Sequence, residues 1–193
     1  MSPDIPASIK VRLLDKARKK GDGFELFLVR YACERFLYRL GASALRDQCI
    51  LKGAGLLTFW MDDPYRATRD VDLLAFGSSD DASIRVFMET ICAVPCQEDG
   101  LSFDLKSLDT SPIRAEEEYQ GRRAALNAHL GKARIRLQID FGFGDAVMPG
   151  PEDVEFPTLL DGLSAPGCEP TQWSSRLPRI AKPWSSSVAE TAG

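Results

Sequence analysis

Asp70 and Asp72 stand one residue apart at the head of the apolar run VDLLAF, with Arg66, Thr68 and Arg69 just before them. On an extended chain, side chains i and i+2 point the same way, so the two carboxylates share a face while Val71 turns to the other. Carboxylates that close repel, and a cation between or beside them relieves the repulsion. Magnesium suits such a pair, because it is held by one or two carboxylates together with the phosphates of a substrate. An isolated Asp-x-Asp also fits a solvated strand end, ion-paired here to Arg66 and Arg69.

Two further features favour the metal. Lys52-Gly53-Ala54-Gly55 follows a short apolar segment, Cys49 to Leu51, and precedes Leu56 to Trp60, which can start a helix. In a strand, small-residue turn and helix, the backbone N–H groups of the turn approach a phosphate closely, and the helix N-terminus adds favourable partial charge. A third carboxylate, Asp140, lies in the segment 133–141, the clearest period-two pattern of the chain. There Ala133, Ile135, Leu137, Ile139 and Phe141 share one face, and Arg134, Arg136, Gln138 and Asp140 the other. Turn, Asp-x-Asp and strand-borne Asp, in that order, make a nucleotidyltransferase constellation.

The elements that must position these residues are readable around them. Ser8 is the expected cap of a helix to about Lys20, with Ile9, Leu13 and Ala17 on one face and Gly21 as its stop. A second helix carries Phe24, Phe27, Leu28, Tyr31, Ala32, Phe36 and Leu40, and Gly41 is expected to end it. Residues 71–76 read as a buried strand, after which Asp80 or Asp81 caps a helix bearing Ile84, Phe87, Met88 and Ile91. Residues 101–108 and 121–130 alternate as strands, and Gly131-Lys132 is a hairpin turn into 133–141. The expected fold is α/β, a mixed sheet of about four or five strands flanked by helices over residues 1–165. Beyond about Pro166, Pro, Ser and isolated Trp residues replace periodicity, and 166–193 reads as an irregular, disordered tail.

Composition excludes several classes. Lys plus Arg total 24 against 28 Asp plus Glu, a net charge of −4, so any contact with nucleic acid must be a local patch. The only histidine, His129, lies in an alternating segment with no serine or cysteine motif beside it; a sheet-surface residue is expected, and no histidine-driven nucleophile. The five cysteines form no second pair beside Cys92 and Cys96, which points to buried free thiols, not a zinc site. No stretch approaches the roughly 18 apolar residues of a membrane span, and a cytoplasmic protein is expected.

The run LFLVRYACERFLYRLGASALRDQCILKGAGLLTFWMDDPYRATRDVDLLAFG, with RIRLQIDFGFGDAVMPGP further on, resembles the AbiEii/AbiGii nucleotidyl transferase toxin family over roughly residues 8–165. The resemblance implies that Lys52, Gly53, Ala54 and Gly55 contact nucleotide phosphates, that Asp70, Asp72 and Asp140 hold metal, and that Arg66 and Thr68 brace the site. Gly55 replaces a hydroxyl residue of other members, which leaves the turn with backbone donors only. Two magnesium ions and a nucleoside triphosphate substrate are implied, as are an acceptor that in some members is RNA, a cognate antitoxin and a role in abortive phage infection. Asp140 would help to deprotonate the attacking hydroxyl.

Other readings compete. A phosphatase of the haloacid dehalogenase type, with Asp70 as covalent nucleophile and Gly144-Asp145 as a late acidic motif, fits poorly: Val71 and Leu73-Leu74 are out of pattern, a following Thr is missing, and the early helices have no place in it. A catalytically inactive remnant or binding module that keeps the fold is the alternative from a different class. It draws on the tail, because the family's continuation, including an Asn-Ser-Arg-Met-Lys type run, is missing after about Gly167. Written as codons, Lys182 to Val188 and Glu190 to Gly193 can be read one base out as family-like sequence. A truncated, frame-displaced and catalytically weak product is therefore expected.

Overall fold

A computed structural model of the chain describes residues 4–52, 70–113, 121–144, 158–161, 163 and 179–180. Gly53, Ala54, Gly55, Arg66, Thr68, Asp145, Cys168 and the helix expected from Leu56 lie outside the described residues, as does most of the 166–193 tail.

Helix α1 spans Ile5–Lys20 and buries Ile9, Leu13 and Ala17. It starts earlier than Ser8 because Asp4 caps it: the Ala7 N–H donates to Asp4 Oδ1 at 3.1 Å, and Pro6 fits the first turn, where its missing N–H has no helical partner to lose. Gly21, at φ 72°, closes the helix in the left-handed region. Helix α2, Phe24–Ala42, passes through Gly41 instead of ending there. Ser43, extended, donates its N–H to the Leu40 carbonyl and closes the helix one residue later. Gly41 lies in the last turn, where a glycine costs no more than the about 1 kcal/mol it would cost in a helix interior.

The strands are β1 (Cys49–Lys52), β2 (Asp70–Ala75), β3 (Leu101–Ile113), β4 (Gly121–Leu130), β5 (Ala133–Phe143) and β6 (Arg179–Ile180), with helix α3 (Asp81–Cys92) between β2 and β3. Asp80 caps α3 by accepting the Ser83 N–H at 2.8 Å. The sheet order is β3-β4-β5-β2-β1-β6; β2 pairs parallel with β5 and β1 with β6, and the remaining pairs are antiparallel. This is the expected mixed α/β, nucleotidyltransferase-like fold, with one addition. The two-residue strand β6 lies inside the segment expected to be wholly irregular, and its recruitment to the edge of β1 is a pairing that no local periodicity announces. β3 runs five residues past its expected end at Leu108, because a register shift between Asp104 and Asp109 breaks the alternation that marks it in sequence. At the hairpin, Gly131 takes φ 58° in a two-residue turn, as expected.

The core lies between one sheet face and the three described helices. Val71, Leu73 and Ala75 of β2, Ala124 to Leu130 at alternate positions of β4 and Ile135 to Phe141 of β5 join the buried side chains of α1, α2 and α3 in one cluster. Phe87 of α3 meets Phe141 edge-on at 5.3 Å. Cys33, Cys49 and Cys96 are buried free thiols and Cys92 is partly buried. Burial pushes the Cys33 and Cys49 thiols up to about 12, so they stay protonated as small apolar groups.

One ionic cluster is sealed within this layer. Arg39 of α2 donates from Nη1 to Asp99 Oδ2 at 2.7 Å and from Nη2 to Oδ1 at 3.3 Å, and also bonds the carbonyls of Arg35, Val94 and Leu101. Tyr31 donates its hydroxyl to the Asp99 carbonyl at 2.8 Å. The pair is almost fully buried and fastens α2 to the turn that leads into β3. Removing one partner leaves the other charge buried and uncompensated, at a cost of about 3–5 kcal/mol. Asp99→Ala is therefore expected to lower the urea unfolding free energy by about that amount, whereas the joint replacement Arg39→Met with Asp99→Leu should cost clearly less. Equal losses in the two would show that the ion pair is not what fastens the helix.

Candidate active site

The sheet face opposite the helices carries the polar side chains of β2 and β5. In β2, Val71, Leu73 and Ala75 are buried while Asp70, Asp72 and Leu74 are half-buried, the alternation that a strand with one core face must show. Register then aligns charged residues across four strands. Lys52 of β1 pairs with Asp72 of β2, Asp72 with Asp140 of β5, and Asp140 with Arg123 of β4. Paired residues on neighbouring strands point to the same side at a spacing of about 4.8 Å, so the row reads cation, anion, anion, cation. Asp70 stands one step along β2, opposite Gln138. The structure thus brings together Asp70, Asp72, Asp140 and Lys52, four of the residues singled out in the sequence.

The electrostatics follow from this row. Burial raises the Asp72 carboxyl above its ordinary value, the Asp70 and Asp140 charges raise it further, and Lys52 and Arg123 oppose them. Asp140 is satisfied differently. Arg123 donates from Nε to Oδ1 at 2.8 Å and from Nη2 to Oδ2 at 2.7 Å, a two-pronged charge-assisted pair, and this hydrogen bond raises Arg123 above its ordinary value. With Asp140 turned towards Arg123, no three acidic, histidine or cysteine side chains among the described residues gather round one cation position. The donor chemistry nevertheless suits magnesium: three hard carboxylates stand on one face of the sheet. Asp70 and Asp72 could offer it ligands, and Asp140 could join them only with Arg123 moved off its oxygens.

A cleft of about 430 Å³ opens over the row. Lys52, Asp72 and Asp140 line its charged side, and Leu74, Ile113 and Phe143 its apolar side. Gly142, opposite Leu74 on β5, also lines it, and a Cβ at that position would collide with the Lys52 ammonium group. The bare backbone there leaves room for the lysine head to lie over the strand.

Arg123 and Gly142 are the site residues that sequence reasoning missed. The FGFG run after Asp140 was the available signal for Gly142, since a glycine inside a strand marks a close approach. For Arg123 the signal was the Gly131-Lys132 turn: a two-residue loop sets Leu130 opposite Ala133 and therefore Arg123 opposite Asp140. His129 lies on this same polar face, half-buried, as expected of a sheet-surface residue.

The raised Asp72 carboxyl has a consequence for stability. A carboxyl whose folded pKa lies above its unfolded one destabilises the fold when ionised, and the loss sets in as pH rises through the usual carboxylate range towards the folded value. In the metal-free protein, Asp72→Asn should therefore melt no lower than wild type at pH 7, and slightly higher if relief of repulsion dominates. That difference should shrink as pH falls below the carboxylate range. A marked loss of thermal stability in Asp72→Asn would instead make Asp72 a structural ion-pair partner.

No helix among the described residues is long and apolar enough to cross a membrane. Comparison with curated proteins found no match, and neither did comparison with solved structures. The family model described as "Nucleotidyl transferase AbiEii toxin, Type IV TA system" matches residues 35–172, a span running from the middle of α2 past β5 and including Lys52, Asp70, Asp72, Arg123 and Asp140. With more than half of its length matched and a mixed sheet that sets these charges in one row, the chain belongs to the AbiEii nucleotidyl transferase toxin family of type IV toxin-antitoxin systems.

Proposed function

We propose that this chain transfers a nucleoside monophosphate from a nucleoside triphosphate to an acceptor hydroxyl, with RNA as the acceptor class, in the cytoplasm. The observation that carries this reading is the row Lys52, Asp72, Asp140 at the floor of an open cleft. A family named for nucleotidyl transfer supplies the reaction class. A cognate antitoxin is the expected counterpart in a system of this type.

Each residue has a task in that reaction. Lys52 presents its ammonium group to the phosphates from the end of β1, where it lies over Gly142. The apolar wall of Leu74, Ile113 and Phe143 receives the base or sugar, which keeps the triphosphate turned towards the charged row. Asp140, released from Arg123, would accept the proton of the acceptor hydroxyl as that oxygen bonds to the α-phosphorus, the bond to the β-phosphate breaks and pyrophosphate leaves. Asp70, Asp72 and Asp140 would hold two magnesium ions, which neutralise the phosphates and lower the pKa of the attacking hydroxyl. By resemblance, the 53–55 turn, Arg66 and Thr68 add phosphate contacts and support.

The test is direct. Incubation with α-labelled nucleoside triphosphates, total cellular RNA and magnesium should transfer label to RNA. Transfer should stop when magnesium is chelated, and Asp72→Ala should lower it beyond the roughly 10–100-fold that loss of an outer-layer partner costs a metal site. A folded protein that neither binds nucleotide with metal nor transfers label would instead be a remnant that keeps the fold without the reaction.

A further inference from the structure

We propose that Arg123 is an exchangeable counter-ion: it holds Asp140 while the metal is away and moves to the phosphates of the nucleotide when metal and nucleotide enter. The proposal rests on the nucleotidyltransferase reading above and adds to it a residue that governs how the site fills.

The geometry is that of a ligand already in use. Both oxygens of Asp140 accept from the Arg123 fork, at 2.8 and 2.7 Å. Gln138, one pair of residues further along β5, accepts from the same Nε and Nη2 at 3.2 Å when its amide oxygen faces them. Asp140 is only 14% exposed, whereas Arg123 is 41% exposed. The carboxylate is thus fixed in the floor, and the guanidinium lies at the rim with room to move.

A divalent cation shared by Asp72 and Asp140 needs lone pairs that the guanidinium now occupies, and it would meet a positive charge in partly buried surroundings where screening is weak. Arginine does not lose its proton in proteins, so the conflict is relieved only by movement. The triphosphate offers the destination, because a guanidinium fork matches phosphate oxygens as well as it matches a carboxylate. Metal and nucleotide then each remove an obstacle to the other, and their binding is coupled in both directions. Lys52, at the opposite end of the row, pairs in register with Asp72, not Asp140, so Arg123 is the cation paired with Asp140.

The test measures Mn²⁺ affinity of the full chain by electron paramagnetic resonance, alone and with a nucleoside triphosphate analogue whose α–β bridge cannot be cleaved. Arg123→Gln should bind Mn²⁺ alone about tenfold more tightly than wild type, equivalent to roughly 1.4 kcal/mol. It should bind the analogue more weakly, and the mutual enhancement of metal and analogue should shrink towards none. Arg123→Lys, which keeps the charge but loses the fork, should shift Mn²⁺ affinity in the same direction by a smaller factor, and it serves if the glutamine variant does not fold. Unchanged or weaker Mn²⁺ binding in these variants, with wild-type binding that is lost in Asp72→Asn, would overturn the role of Arg123 alone. Wild-type Mn²⁺ binding that is absent, or indifferent to Asp72→Asn, would overturn the nucleotidyltransferase reading and this proposal with it.

Discussion

Parallel pairing of β2 with β5, in the register that sets Asp72 beside Asp140, is the constraint on which the rest of the structure depends. Parallel neighbours cannot be joined by a tight turn, so the chain must leave β2, cross and return. It does so through α3 and the β3-β4 pair, which cover one face of the sheet and extend it before β5 arrives. A slip of one residue in that pairing would turn Ile135, Leu137 and Ile139 to the solvent side and Asp140 into the core. The apolar face of β5, locked against α2 and Phe87, therefore fixes the position of the carboxylate on the other face.

The two faces differ in what they contribute to the fold. Stability comes from the helix side, where the buried cluster and the Arg39–Asp99 pair reside. The proposed chemistry uses the other, where like charges stand one strand apart and, with burial, raise the Asp72 carboxyl. Repulsion of that kind is affordable only because the core beneath does not depend on it. The row also has its own compensation in the protein itself, a cation at each end, Lys52 and Arg123. The site is thus poised between partners it has and partners it awaits.

Local pattern made much of this legible. Strict alternation in 133–141 assigned the two faces of β5, and Asp-Val-Asp before an apolar run assigned those of β2. Lys52 was legible as the first residue of a small-residue turn, whereas the structure makes it the last residue of β1. What escaped depends on distance along the chain. Arg39 looks like a polar interruption of the apolar face of α2 until Asp99, sixty residues on, is folded against it. Arg123 is the exception: the two-residue Gly131-Lys132 turn sets it opposite Asp140, and that pairing was not followed out in the sequence. The shift in β3 hid its second half because period two no longer held, and the cap expected at Ser8 falls inside a helix that Asp4 caps, with Pro6 in its first turn. β6 has too few residues to carry any periodicity.

The central claim is that a divalent cation sits on the row formed by β2 and β5. Paramagnetic broadening of backbone amide resonances on Mn²⁺ titration, followed residue by residue, tests it most directly. The expected result is early, selective loss of signal at Asp70, Asp72, Asp140 and their strand neighbours, while His129 at the far end of the same face stays sharp. Loss centred elsewhere, such as the exposed Asp80 and Asp81 at the start of α3, or uniform broadening with no focus on the row, would contradict it.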